Sequence, residues 1–170
     1  MLILGIDPGY RSLGLAIVDT EKGDIVCTST VDCGTNPMTQ HKLLTQGLDE
    51  LVNSYPNVEL VATERPPYGF AGSRTGGKTA CLMWWVLGGG GSCAARPRIP
   101  MRDITPTALK NFAETPIGKK YVEWPTKGRH KTRSEKKWGM AEAVKKLTGA
   151  NEHSSDHEAD AVLAAFALKP

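Results

Sequence analysis

The chain has 170 residues, of which 40% are hydrophobic and 23% are charged, and these values are ordinary for one globular domain with a full core. No apolar run approaches the roughly 18 residues of a membrane span, and the N-terminus lacks the basic segment of a signal peptide, so we expect a cytoplasmic protein with no membrane partner. The four cysteines have no metal-binding spacing, which predicts small packed side chains in a reducing compartment.

The net charge of +3 conceals an uneven distribution. The segment 119–146 holds ten of the 21 Lys and Arg residues but only three acids, so the remainder of the chain is acidic. A basic block on an acidic protein favours a polyanionic partner, and nucleic acid is the first candidate. The alternative is a solvent-exposed loop and helix face without a binding role.

The first predicted strand is the apolar run Leu2–Ile6, which is typical of a strand buried on both faces at the centre of a sheet. Asp7 and the turn Pro8-Gly9 follow, and apolar residues then alternate over 12–17 as in a second strand. Asp7 therefore lies at the carboxyl end of the central strand, where a carboxylate can hold a metal ion or move a proton. Alternatively, Asp7 only caps the turn.

A third strand, a helix and a fourth strand follow, and we place them at 24–31, 39–55 and 58–64. The order strand, helix, strand implies a right-handed crossover that makes the fourth strand parallel to the first. If these two strands are neighbours, about 5 Å apart, Glu64 ends beside Asp7. Two carboxylates that close are costly unless a cation lies between them. The alternative is that Glu64 is an exposed strand end paired with Arg65.

The next segment carries two aromatic residues, Tyr68 and Phe70, and then a glycine-rich stretch, 72–79, that matches the phosphate-loop pattern G-x-x-x-x-G-K-[ST]. A phosphate loop directly follows a buried strand, and a later apolar strand ends in an Asp that holds magnesium. Neither condition is met here. ATP binding at 72–79 is therefore the alternative to a flexible loop in which Arg74 and Lys78 contact nucleic-acid phosphates.

The second half of the chain holds shorter predicted elements. We expect a fifth strand at 98–101, whose flanking prolines suit a sheet edge, and then a helix that Thr105 caps and Pro116 ends. The basic stretch 117–133 lacks periodicity and is predicted to be a flexible loop. Ser134 is predicted to cap the helix that follows.

The last helix begins with a capping box formed by Ser155 and Glu158. Asp160 lies three residues after His157 and four after Asp156, so these side chains share one helical face. Asp160 also stands among small apolar residues, where an acid is usually retained for a reason, whereas Asp156 could serve only the helix dipole.

Three carboxylates, those of Asp7, Glu64 and Asp160, are thus predicted at the ends of core elements, with His157 or Asp156 beside them. Oxygen ligands with room for waters suit Mg²⁺ or Mn²⁺ better than Zn²⁺. Two such ions, about 4 Å apart, bind the attacking water and the leaving oxygen of a phosphodiester. The pattern therefore predicts metal-dependent phosphodiester hydrolysis.

A set of short motifs resembles the RuvC-type Holliday-junction resolvases over almost the whole chain. In order, the motifs are GIDPG at 5–9, a strand ending in Glu64, PTALK at 106–110, SEKK at 134–137 and H-x-x-D-A at 157–161. The resemblance implies an α/β, ribonuclease H-like fold, with a five-stranded mixed sheet and helices on both faces. It also implies a single nuclease domain over 1–170.

The resemblance further implies a catalytic site and partners. The metal-binding set that it implies is Asp7, Glu64, His157 and Asp160, with Asp156 as a substitute for His157. Lys110 and Lys136 correspond to basic residues near the scissile phosphate. Two Mg²⁺ ions, replaceable by Mn²⁺, are the implied cofactor, and a homodimer cutting a four-way DNA junction is the implied assembly. The residues that we expect to contact DNA are Tyr68, Phe70, Arg74, Lys78, Lys127, Arg129, Lys131, Arg133 and Lys137.

The chain departs from these resolvases in its glycine runs at 76–77 and 88–91 and in its longer basic loop. These departures and the small size suit a bacteriophage member that acts in the cytoplasm of a bacterial host. Three rival hypotheses remain at this stage. They are a phosphate-loop ATP-binding protein, a relative of the much longer actin and sugar-kinase group, and a DNA-binding module that has lost its metals.

Overall fold

The computed structural model of the chain describes residues 1–9, 12–32, 34, 37–65, 99–117, 133–149 and 155–169. Within these residues the strands are β1 (Leu2–Pro8), β2 (Ser12–Asp19), β3 (Asp24–Asp32), β4 (Val58–Glu64) and β5 (Met101–Ile104). The helices are α1 (Pro37–Ser54), α2 (Pro106–Ile117), α3 (Arg133–Thr148) and α4 (Asp156–Ala167). None of these helices is long and apolar enough to cross a membrane.

The five strands form one mixed sheet in the order β3-β2-β1-β4-β5. β1 lies at the centre, antiparallel to β2 and parallel to β4, while β5 is a parallel edge strand. The predicted central strand, the hairpin, the parallel crossover and the edge position of the fifth strand are therefore confirmed. Both faces of β1 are buried because its apolar run leaves no polar side to present to water.

The two faces of the sheet carry separate apolar clusters. On one face, Leu4 and Ile6 of β1 pack with Leu48 of α1. On the other, Ile3 packs with residues of α2, α3 and α4, including Phe166. Helices thus cover both faces, as predicted, and α4 lies on the central strands of its face.

Glycines in β1 and β2 allow α4 to lie unusually close to the sheet. A Cβ atom on Gly5 would stand 2.0 Å from the carbonyl oxygen of Ala161, and one on Gly14 would stand 2.0 Å from that of His157. Ala161 and His157 are four residues apart, so one face of α4 packs directly on the backbone of β1 and β2. Any larger residue at either glycine would force the helix away from the strands.

Some predicted boundaries are wrong, for identifiable reasons. β5 begins at Met101 rather than at residue 98, because Pro100 has no N–H and contributes only its carbonyl, which accepts from Val61 at 2.9 Å. α2 continues through Pro116, because a proline in the last turn removes a single hydrogen bond. α3 already includes Ser134, so this residue is not its cap, and 117 and 133 are helical rather than loop.

Two predicted caps are confirmed. The Ala108 N–H donates to Thr105 Oγ1 at 3.2 Å at the start of α2. The Glu158 N–H donates to Ser155 Oγ, also at 3.2 Å, at the start of α4. The second cap sets the residue at which α4 begins.

Gly5→Ala is predicted to destabilise the protein by about 3 kcal/mol or more, because the new methyl group meets rigid backbone of α4. Gly47→Ala is the matched control. Its Cβ would meet a Val31 side-chain methyl at 2.8 Å rather than backbone, and alanine gains helix propensity in α1, so we expect a change within about 1 kcal/mol. Urea denaturation measures both, and equal stability of the two variants would contradict the close helix–sheet contact.

Candidate active site

A single row of residues crosses the sheet at the carboxyl end of β1. Asp7 of β1 pairs with Gly14 of β2, and Gly14 pairs with Thr30 of β3. On the other side of β1, Ile6 pairs with Thr63 of the parallel strand β4, so Glu64 follows one position beyond. The sequence-predicted neighbours Asp7 and Glu64 therefore end adjacent strands at the same edge of the sheet.

α4 brings a histidine directly onto this row. The His157 Nδ1 atom lies 2.5 Å from Asp7 Oδ2, and Asp7 is only 6% exposed. The backbone of His157 rests on Gly14, and its ring also lies against Gly9, where an added Cβ would be 2.8 Å from Cε1. Gly9 and Gly14 thus leave the space in which the His157 ring reaches the carboxylate.

The environment of Glu64 raises the pKa of its carboxyl to about 7. Burial is the largest cause, since it disfavours the charged form, and the negative charge of Asp7 adds to it. The charges of Lys110 and His157 act in the opposite direction and lower this pKa. Asp7, Glu64, His157 and Lys110 therefore form one electrostatically coupled group.

Arg65 takes no part in this group. Its guanidinium makes a two-point contact with Asp103 of β5, through Nε to Oδ2 and through an Nη atom to Oδ1 at 3.1 Å. This contact lowers the pKa of Asp103, chiefly through the hydrogen bond. Glu64 is thus a half-buried strand end, and the described salt bridge of Arg65 is with Asp103.

The two remaining acids of the predicted set lie on α4. Asp160 stands one turn after His157, half-buried, and its Oδ1 atom is shielded from solvent. Asp156 is the first residue of the helix and is also half-buried. Of the α4 residues in the predicted set, His157 has a described contact with Asp7.

The donor chemistry of the site fits Mg²⁺ or Mn²⁺, because carboxylate oxygens dominate it and two of them crowd at one sheet edge. The side-chain positions are not those of a formed metal centre, however. In the part of the chain that the structure describes, no three His, Cys, Asp or Glu side chains are grouped as ligands of one ion. His157 contacts Asp7 directly, so a cation at Asp7 requires this pair to separate or rearrange.

The other predicted site residues are placed only in part. Lys110 is a half-buried residue of α2, and its charge reaches Glu64. Arg133, Lys136 and Lys137 belong to the first turns of α3. The residues that lie outside the described part of the chain are Tyr68, Phe70, Arg74, Lys78, Lys127, Arg129 and Lys131, together with the whole phosphate-loop-like stretch 72–79.

Sequence reasoning missed the residues that hold the site together rather than those that line it. Gly5 and Gly14 determine how closely α4 approaches, and Thr30 contacts the start of that helix from β3. The available signal was the glycine at an interior position of each of two buried strands, which marks a close approach of another backbone. The contact of Thr30 had no comparable signal, because it joins residues 128 positions apart.

No protein-family model and no curated protein matches the chain. Solved structures do match it. RuvC of T. thermophilus in complex with Holliday junction substrate superposes with a TM-score of 0.73 and 20% identity, over 98% of this chain and 91% of that one. A second Thermus thermophilus RuvC structure gives 0.70 and 22%, over 98% and 92%. The yeast mitochondrial Holliday junction resolvase Ydc2 gives 0.51 and 14%, over 97% and 77%.

At these sequence identities, the similarity to the solved structures is a similarity of fold. The strand order, the mixed strand directions and the helices on both faces agree with it. The chain therefore has the ribonuclease H-like fold of the RuvC resolvases over nearly its whole length.

Proposed function

We propose that this chain is a metal-dependent endonuclease that resolves four-way DNA junctions by phosphodiester hydrolysis. The observation that carries the proposal is the convergence of Asp7, Glu64 and His157 at one sheet edge, in a fold shared with a RuvC bound to a Holliday junction. Residues 150 positions apart along the chain are in contact there. Such convergence of acids on rigid strands is what phosphodiester hydrolysis by divalent ions needs.

The residues that would hold the ions are Asp7, Glu64 and Asp160, with His157 or Asp156 completing the set. Two Mg²⁺ or Mn²⁺ ions, when bound, supply a water of lowered pKa and stabilise the charge that develops on the phosphate. The crowding of Asp7 and Glu64 supports this assignment, because a cation between them removes the repulsion that raises the pKa of Glu64.

The remaining residues act on the DNA and on the carboxylates. Without metal, the His157 Nδ1 contact holds Asp7 in a defined orientation, and this contact rearranges when a cation binds Asp7. Lys110 brings a positive charge to the side of the site where Glu64 ends, and we assign it, with Lys136, to the scissile phosphate. The basic block from Lys119 to Lys146 supplies further phosphate contacts, which predicts binding that weakens steeply with salt.

We also propose that two copies act together in the cytoplasm on branched DNA, each cutting one strand. A four-way junction has two symmetric strands to cut, and a two-fold symmetric pair of identical sites matches that geometry. We assign residues 1–170 of each copy to a single nuclease domain, and the fold match over 98% of the chain supports this assignment.

One observation favours a second candidate, a DNA-binding module without catalysis. The direct contact between Asp7 and His157 leaves no ligand cluster at metal spacing among the described residues. Calorimetry with Mn²⁺ separates the two candidates. Mn²⁺ binding that is lost in Asp7→Asn supports the nuclease, and absence of Mn²⁺ binding to the unmodified chain supports the DNA-binding module.

Asp7→Asn is predicted to lower the cleavage rate of a four-way junction more than about 100-fold while leaving junction affinity nearly unchanged, because it removes the central carboxylate but no surface charge. The matched control is Asp24→Asn, an exposed acid at the start of β3, which should cleave at the wild-type rate. Cleavage with and without Mg²⁺, compared with a linear duplex, measures the effect. Full Mg²⁺-dependent activity in Asp7→Asn would refute the assignment.

The pKa of Glu64 in metal-free protein is predicted to fall in Asp7→Asn, because the repulsion from Asp7 is removed, and to stay above 4.5, because burial remains the larger cause. Side-chain ¹³C NMR titration measures this pKa.

The raised pKa of Glu64 also makes the free energy of unfolding depend on pH. The folded state binds a proton that the unfolded state releases near 4.5, so stability falls between about pH 4.5 and 7. Glu64→Gln should remove that part of the pH dependence, and an unchanged stability profile would show that folding does not raise the pKa of Glu64.

A further inference from the structure

A polar cluster ties the start of α4 to the edge strand β3. The Thr30 hydroxyl donates to Glu158 Oε1 at 2.7 Å, and the same Thr30 Oγ1 lies 2.7 Å from Ser155 Oγ. Ser155 Oγ in turn accepts from the Glu158 N–H at 3.2 Å. Three side chains from two elements thus meet within hydrogen-bonding distance at the first turn of the helix.

The protons of this cluster can be assigned. The single Thr30 hydroxyl proton is directed to Glu158, so in the Ser155–Thr30 contact Ser155 must be the donor. The hydrogen bonds therefore run from the Glu158 N–H to Ser155, from Ser155 to Thr30, and from Thr30 to the Glu158 carboxyl. The circuit begins and ends on one residue, so the loss of the Thr30 hydroxyl breaks two of its three bonds.

Thr30 is exposed and Ser155 is half-buried, and the burial of the third member, Glu158, makes the circuit a constraint. Glu158 is 2% exposed, and a buried carboxyl is tolerated only where hydrogen bonds compensate it. Moving the Glu158 carboxyl away from Thr30 would remove a hydrogen bond that compensates its burial. The Ser155 cap does not replace this bond, because it accepts from the backbone N–H of Glu158. This holds the first turn of α4 against β3.

The circuit stands directly opposite the candidate active site. Thr30, Gly14 and Asp7 form one row across β3, β2 and β1, and the His157 backbone rests on Gly14 in the middle. His157 and Glu158 are consecutive on α4, so their side chains diverge by about 100° around the helix. One reaches Asp7 at one end of the row, and the other reaches Thr30 at the opposite end.

We propose that Thr30 and Glu158 are positioning residues for His157. By holding α4 on the β3 side of Gly14, they determine the direction in which the His157 ring meets Asp7. As a statement about cleavage this inference rests on the proposed nuclease function, but as a statement about side-chain geometry it stands without it. Neither residue was part of the site that the sequence predicted.

The test compares Thr30→Val, which keeps the shape and strand preference of threonine but lacks the hydroxyl, with Thr30→Ser, which keeps the hydroxyl. Ser29→Ala is the control, because it removes a neighbouring exposed hydroxyl from the same strand. The first readout is NMR on metal-free protein, using the nuclear Overhauser effect between His157 Hε1 and the Gly9 α-protons. We expect it to weaken strongly in Thr30→Val and to persist in Thr30→Ser and Ser29→Ala.

The second readout is junction cleavage under saturating Mg²⁺. Loss of orientation at a site residue typically costs about 10-fold or more, so kcat of Thr30→Val should fall by about that factor. Junction affinity should not change, because Thr30 is uncharged and its hydroxyl is directed to Glu158 rather than to a residue that we expect to contact DNA. Thr30→Ser should restore kcat. If Thr30→Val does not fold, Thr30→Ala serves in both readouts.

Each outcome is decisive. A wild-type Overhauser effect in Thr30→Val overturns the positioning role and leaves the proposed function untouched. A wild-type protein that cleaves no junction refutes the proposed function, while the Overhauser comparison still decides the positioning role. Equal losses of affinity and of kcat would mean that Thr30 contacts DNA, which also overturns the proposal.

Discussion

The close approach of α4 to the sheet is the constraint on which the site depends. Gly5 and Gly14 leave two strands without side chains under the helix, and the carbonyl groups of Ala161 and His157 occupy that space. A helix held at ordinary distance by side chains would leave His157 short of Asp7. The interior packing of this face therefore serves the geometry of the site as well as the stability of the fold.

Electrostatics at the sheet edge follows from strand direction. Because β1 and β4 are parallel neighbours, their last acidic residues end at the same edge, where burial and then the charge of Asp7 raise the pKa of Glu64. An antiparallel pair would have separated them by the length of a strand. Arg65, the next residue along the chain, forms a salt bridge with Asp103.

The first turn of α4 is held on both sides of Gly14, the residue on which the His157 backbone rests. Asp7 contacts His157 on the β1 side, and Thr30 contacts Glu158 on the β3 side. The same helix turn thus joins the centre of the sheet to its edge. Together these contacts hold the first turn of α4 at the place where His157 meets Asp7.

The sequence by itself determined the elements, the central position of β1, the parallel crossover to β4 and the acids at strand ends, because hydrophobic periodicity and turn residues are local signals. It also identified Ser155 as the cap of α4, and helical spacing placed His157, Asp156 and Asp160 on one face of that helix. The Ser134 cap and the start of β5 were misplaced, since boundaries depend on hydrogen-bond partners elsewhere in the chain. Only the tertiary structure decided the contact of His157 with Asp7, the raised pKa of Glu64 and the circuit through Thr30, because each joins residues distant in sequence through packing that no local pattern records.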